Sequence, residues 1–309
     1  MITVALGGML YIESLKGAGA SMTTLAVLAL LLTQAAPAAD VEVRAVSVTV
    51  TDEKGNAVEG LAAEDVALLE NGVARDVVAL KLDRRPLNLA LLVDTSAAVE
   101  GAFRLTMVDA IAGFLGRLPP GSKYALWTTG DRPTKLVDFT DDVSAGSRAL
   151  QRVVPQGGST VLDALVEASA DLRKKAKEGE RTVVAVVSAV GPEFSSRDRF
   201  RVVEEAQKNA DLFMAVLIEE GRTDFDNRSS YDFVLSGLTK KSGGLYETTL
   251  SIMGVDSALR KLSAQVRSQY RLSYATVPEM KSRKIEVKVA RPGVKVRVSP
   301  EPLLVPGVL

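Results

Sequence analysis

The rhythm of apolar and polar positions changes twice along the chain. From 41 to 82 it is two: Val46, Val48 and Val50 share one face, with Ser47, Thr49 and Thr51 on the other, as in a half-buried strand. Asp52-Glu-Lys-Gly-Asn56 punctuates it as a turn. Ala67–Glu70 and Val73–Leu80 then flank Asn71-Gly72, the pair that supplies both positive φ angles of a type I′ turn, so a hairpin is predicted.

From Pro86 to about Val266 the pattern becomes continuous apolar runs separated by helical stripes. The runs are Leu87–Val93, Tyr124–Thr128, Val183–Val187 and Leu212–Ile218, strands apolar on both faces as in a covered parallel sheet. Val161, Leu165, Ala168 and Leu172 mark one buried helical stripe; Val255, Leu259, Leu262 and Val266 mark another. Lys135–Phe139 reads as a short edge strand. From Gln269 the period of two returns: Ile285, Val287 and Val289, the turn Arg291-Pro-Gly293, then Val294, Val296 and Val298.

This order predicts an α/β fold, a doubly wound, mostly parallel, three-layer sheet over 86–267. Residues 40–85 and 268–309 are each too small to hold a core alone. They are expected to pair into one smaller, β-sandwich-like domain built from both chain ends. Before them, Leu25–Leu32 is an apolar run too short to span a bilayer, followed by the small-residue site Ala36-x-Ala38. Residues 1–39 are therefore read as an export signal, with Met22 as an alternative start. No cysteine follows for a lipid anchor, so the mature chain is expected in the periplasm or outside the cell.

Composition narrows the chemistry. Lys+Arg and Asp+Glu both number 38, so no net field draws the chain to nucleic acid or anionic lipid. The chain has neither histidine nor cysteine, which excludes Ser–His and Cys–His nucleophile pairs, thiolate or imidazole zinc sites, and disulfides. Any metal must be held by oxygen, which favours magnesium, manganese or calcium.

Ligands of open parallel sheets bind beyond the carboxyl ends of strands, where Asp94 closes the first run. The following Thr95-Ser-Ala-Ala-Val-Glu100 is neither a dinucleotide fingerprint nor a phosphate loop. With Leu89–Asp94-x-Ser96, Gly157-Gly-Ser-Thr-Val-Leu-Asp-Ala164 and Thr182–Ser188 leading to Gly191, the chain resembles a von Willebrand factor type A domain. Further motifs extend the likeness over nearly all of the mature chain: Val48-Thr-Val-Thr-Asp52, Gly60-Leu-Ala-Ala-Glu-Asp65, Leu69-Glu-Asn-Gly72, Ser268-Gln-Tyr-Arg-Leu-Ser-Tyr274 and Arg283-Lys-Ile-Glu-Val-Lys-Val289. Together they resemble the exported type A-related family common in acidobacteria.

The resemblance implies a divalent-ion adhesion site: Asp-x-Ser-x-Ser, a threonine from a second loop and an aspartate after a later strand, with one position left for a partner's carboxylate. Asp94 and Ser96 match, and the threonine falls on Ser159 or Thr160. The second serine is Ala98 and the later aspartate is Val190, so the site is read as a remnant, with Asp94 bonding Ser96 and the Ser159–Thr160 backbone. Glu193 offers a longer reach toward the lost aspartate's place. Ala97, Ala98, Val99, Val190, Pro192 and Phe194 are expected to give the rim an apolar surface for a protein partner, identity open. The partner-binding set is Ala97, Ala98, Val190 and Phe194.

The expected function is thus a non-enzymatic, metal-independent binding module. The alternatives are a metal-dependent adhesion module, or a doubly wound hydrolase using Asp94. Trp127 reads as core, Arg173-Lys-Lys175 as a helix C-terminus, Thr140-Asp-Asp142 as a helix start, and Gly221–Ser230 as a mobile loop at the same rim.

Overall fold

The computed structural model describes residues 41–177, 179–219, 225–278, 282–299 and 303–304; the export signal expected over 1–39 lies outside them. Residues 41–309 belong to one compact unit. Its elements run β1 (Glu42–Asp52), β2 (Val66–Glu70), β3 (Val73–Arg75), β4 (Val77–Leu82), β5 (Leu87–Val93), α1 (Val108–Gly116), β6 (Lys123–Thr128) and β7 (Thr134–Thr140). Next come α2 (Val143–Leu150), α3 (Val161–Lys175), β8 (Arg181–Ala189), α4 (Arg199–Ala206), β9 (Leu212–Ile218), α5 (Phe225–Ser242), β10 (Tyr246–Thr249) and α6 (Val255–Arg267). The chain closes with β11 (Gln269–Thr276), β12 (Ile285–Val289), β13 (Val294–Val298) and β14 (Leu303–Leu304).

The α/β part is a six-stranded sheet ordered β10-β9-β8-β5-β6-β7. All neighbours run parallel except the edge strand β7, which is antiparallel to β6. Because strand side chains alternate, each apolar run feeds two cores. Leu87, Leu89, Leu91 and Val93 pack with α1 and α6, while Ala90 and Leu92 pack with α3, α4 and α5. The result is a three-layer α/β fold. Since β6 lies on one side of β5 and β8 on the other, strand order reverses at β5, and the crevice between the ends of β5 and β8 is the binding position of such sheets.

Two local readings change. The polar stretch 221–230, expected as a mobile loop, is helical from Phe225, where α5 starts. Val99, expected on the rim, is buried with Phe103 and Met107, because the backbone after Ser96 winds into a short 3-10 turn that points it inward. Asp142 caps α2 as a helix start should, its carboxylate accepting the Ser144 N–H. Among the described residues no helix is long and apolar enough to cross a membrane.

The remaining strands form two antiparallel sheets, β13-β1-β11-β4 with β14 beside β1, and β12-β2-β3. Each combines strands from both chain ends, and together they enclose Val46, Val48, Val50, Leu68, Tyr270, Leu272 and Tyr274. The Asn71-Gly72 turn has the positive φ angles its sequence requires, 51° and 81°. Asn71 also reaches across the chain: its amide donates to Ser282 O at 3.0 Å and accepts the Lys284 N–H at 2.7 Å.

Beside that turn, Glu70 is fully buried. It pairs with Arg283 at 2.6 Å and Arg75 at 2.9 Å, and accepts hydroxyls from Tyr274 at 3.0 Å and from Thr276. Burial alone pushes its carboxyl up, yet the bonds from Thr276, Arg283 and Tyr274 hold it below the usual glutamate range. At the foot of β8, buried Arg181 donates to Asp83 O, Val266 O and Gln269 Oε1, tying the end of α6 and the start of β11 to the linker before β5.

Candidate functional site

The site is built from three loops at the carboxyl ends of β5 and β8. Asp94 follows β5 and extends the ladder, its N–H donating to Val187 O at 2.8 Å. Its side chain is fully buried. One carboxylate oxygen accepts the Ser96 N–H at 2.8 Å; the other accepts the Ala189 N–H at 2.9 Å and the Ser188 hydroxyl at 3.1 Å. The expected partners in the Ser159–Thr160 backbone are thus replaced by Ser188 and Ala189, because β8 pairs directly with β5 and ends beside Asp94. Burial pushes the Asp94 carboxyl up against the opposing effect of these bonds.

The second loop places Ser159 and Thr160 differently. Thr160 turns its hydroxyl onto Thr129 O at 2.9 Å, and its N–H donates to the same carbonyl. Ser159 is fully buried, its hydroxyl 3.3 Å from that of Thr129. Its backbone pairs with the third loop: Ser159 N–H donates to Pro192 O at 2.8 Å, and Phe194 N–H to Ser159 O at 2.7 Å. This parallel bridge matches Ser159 with Glu193 and sets their side chains on the same face.

Glu193 is the residue through which the third loop enters the site. One oxygen accepts the Ser195 N–H at 3.0 Å; the other is buried with no hydrogen-bond partner among the described residues. The buried hydroxyls of Ser96 and Tyr231 share that condition. Tyr231, from α5, stands beside Ser159 and within reach of the Glu193 and Asp94 charges; burial first, then the Glu193 charge, pushes its phenol up. Burial likewise pushes Glu193 up, and the neighbouring Asp94 adds to it. Pattern reading missed Tyr231 and Thr129, since neither carries a motif of its own, and gave Ser188, the end of a quoted motif, no role; α5 brings Tyr231 to the site.

The raised Glu193 makes a prediction. A carboxyl whose proton affinity rises on folding costs stability once the pH exceeds its unfolded value, and the cost is complete above its folded value. Glu193→Gln is therefore expected to stabilise the protein at neutral pH by about 1 kcal/mol, the scale of one poorly satisfied buried polar atom. Urea unfolding should find that gain shrinking to nothing in acid.

Around this buried centre the rim is apolar. Ala97 and Ala98 are exposed, Val190 is half-buried against the α3 and α5 layer, and Phe194 is 65% exposed. Phe194 lies over Gly158, where any Cβ would come within 2.3 Å of its ring, so glycine there lets the second and third loops close on each other.

The comparisons bear on this doubly wound sheet with an Asp-x-Ser loop at its switch point. Residues 89–190 match the family model of the von Willebrand factor type A domain. The match covers about a third of the chain, from within β5 to just past the end of β8. The solved structure of a von Willebrand factor type A protein from Catenulispora acidiphila is similar over 83% of this chain and 72% of its own, at 10% identity and a TM-score of 0.50. Proximal thread matrix protein 1 from the mussel byssus is similar over 64% of this chain at 15% identity and a TM-score of 0.50. The match spans 50% of that protein's length. These likenesses concern the fold. No curated protein matches the chain.

Proposed function

We propose that this chain is an exported, non-enzymatic protein-binding module whose adhesion site works without a metal ion, and that it belongs with the type A-related proteins common in acidobacteria. Its partner seats on the rim of Ala97, Ala98 and Phe194, with Val190 beneath. Support for the narrower kinship comes from two motifs far apart in sequence, Leu69-Glu-Asn-Gly72 and the stretch from Arg283, which meet through Glu70–Arg283 and Asn71–Lys284. The apolar run at 25–32 and Ala36-x-Ala38 support export.

The observation that carries the metal-free reading is the donor set. A divalent ion needs several free oxygens in a closed shell. The side chains of Ala98 and Val190 supply none, Thr160 is held with its hydroxyl turned onto Thr129 O, and both oxygens of Asp94 are engaged by three donors. Among the described residues no three acidic side chains come together. The same sealing of Asp94, fully buried, argues against its use as a hydrolytic nucleophile. The rival reading, a magnesium, manganese or calcium site, draws on the unpartnered Ser96 hydroxyl and Glu193 oxygen.

Thermal unfolding separates the two. With EDTA, and then with millimolar Mg²⁺, Mn²⁺ or Ca²⁺, the midpoint is expected to stay where it was. An ion that binds the native state must raise it by mass action. A rise that Asp94→Ala removes would overturn the metal-free reading.

A further inference from the structure

The third loop continues into α4, whose first turn carries a second exposed apolar feature beside the site. Phe200 and Phe233 are 59% and 40% exposed, and their rings meet edge to face at 4.8 Å. Folded proteins normally bury such a pair; here one side stays open to solvent. The Arg199 guanidinium faces both rings, 5.3 Å from each centroid. Two aromatic faces hold the planar cation in place while leaving its edge N–H groups free to donate.

Among the described residues, the nearest carboxylates on its own loop are engaged elsewhere. Asp198 spends its carboxylate on the first N–H groups of α4, those of Phe200 and Arg201. Asp163 accepts the backbone N–H groups of Ser196 and Arg197 and pairs with the Arg197 side chain at 3.8 Å. Among the described residues Arg199 and Arg201 have no carboxylate partner. Arg197, Asp198 and Arg199 line an open cleft of about 250 Å³ that reaches Leu162 and Glu193, and so leads from Arg199 to the site itself. Arg199, Phe200 and Phe233 all lie outside the stretch 89–190 that matches the family model.

We infer that Arg199, held against Phe200 and Phe233, receives an acidic side chain of the protein partner, with apolar residues next to that acid covering the two rings. The inference rests on the protein-binding reading of the rim and gives its partner a chemistry: an acidic segment flanked by apolar residues. A fixed guanidinium supplies the positive charge that a carboxylate needs, with a fork that matches its two oxygens. Exposed aromatics beside an arginine are the composition of an interface centre.

The probe is a random peptide display library, panned against the mature chain. Selected peptides are expected to carry Asp or Glu next to apolar residues and to lose affinity as salt is raised. Arg199→Gln should weaken them about tenfold and Arg199→Lys less, because lysine keeps the charge and loses the fork. Lys208→Gln, at the other end of α4, should leave binding unchanged, and matching unfolding midpoints show that each variant folds. Peptides that depend on Phe194 but bind Arg199→Gln as well as the parent would overturn the role of Arg199 and keep the rim. Peptides indifferent to both Phe194→Ala and Arg199→Gln, or a library yielding none, would overturn the inference together with the rim reading.

Discussion

Glu70→Ala is expected to cost about 3 kcal/mol of stability, the lower end of what removing one partner of a buried ion pair costs. The pair spans the gap between the two chain ends: Glu70 closes β2, and Arg283 precedes β12 by two residues. Without the carboxylate, Tyr274 and Thr276 lose their acceptor inside the smaller core, and among the described residues Arg283 keeps Glu42 as its acidic partner. The surviving Glu42 contact sets the estimate at the lower end. Glu70→Gln keeps the shape and loses the charge, so it should fall between the parent and the alanine variant. Urea unfolding at neutral pH measures all three.

The pH dependence has a definite sign. Because folding lowers the proton affinity of Glu70, its contribution is fully present above the unfolded glutamate range and is lost as pH falls through the lower folded value. The parent should therefore lose stability in acid faster than Glu70→Ala, and the two unfolding curves should converge. Curves that stay parallel would mean that Arg283 and Glu70 are not coupled.

The second large effect is at the site. Asp94→Ala is expected to cost about 2–4 kcal/mol, since the N–H groups of Ser96 and Ala189 and the Ser188 hydroxyl lose a buried acceptor, each worth about 1–3 kcal/mol when left unmet, while removal of a buried charge returns part of that. The raised proton affinity of Asp94 gives it the opposite pH trend to Glu70. Its ionised form is least favourable in the folded state, so the parent gains on the variant as pH falls toward the unfolded aspartate range. The loss should be the same with EDTA and with added divalent ions. An ion-dependent loss would make Asp94 a metal-binding residue rather than the clasp that joins β5 to β8.

That distinction bears on how the doubly wound architecture is used here. The carboxylate to which the sequence resemblance gives a metal is, in this chain, engaged by two backbone N–H groups and a hydroxyl from its own loop and the neighbouring strand. Among the side chains left facing solvent are the apolar and aromatic Ala97, Ala98, Phe194, Phe200 and Phe233, with Arg199 between the last two rings and the polar Ser196, Arg197 and Asp198 beside them. Binding would then fall on desolvation and a fixed guanidinium instead of a coordination bond.

By itself the sequence determined the α/β class, five of the sheet's six strands (all but β10), two helical stripes and the Asn71-Gly72 turn, because each depends on local spacing or on one residue's φ preference. It also located Asp94 at the end of β5, since the strand and the Asp-x-Ser loop are contiguous in the chain. Only the tertiary structure decided which of Ser159 and Thr160 faces the site, because adjacent residues in an irregular loop follow no period; the bridge to Glu193 fixes it. It also decided that Asp94 bonds Ser188 and Ala189, that Tyr231 joins the cluster from α5, and that Val99 turns inward. These facts arise from strand order and from helices crossing the sheet. They bring together residues 94, 159, 193 and 231, whose separations in the chain carry no trace of their contact.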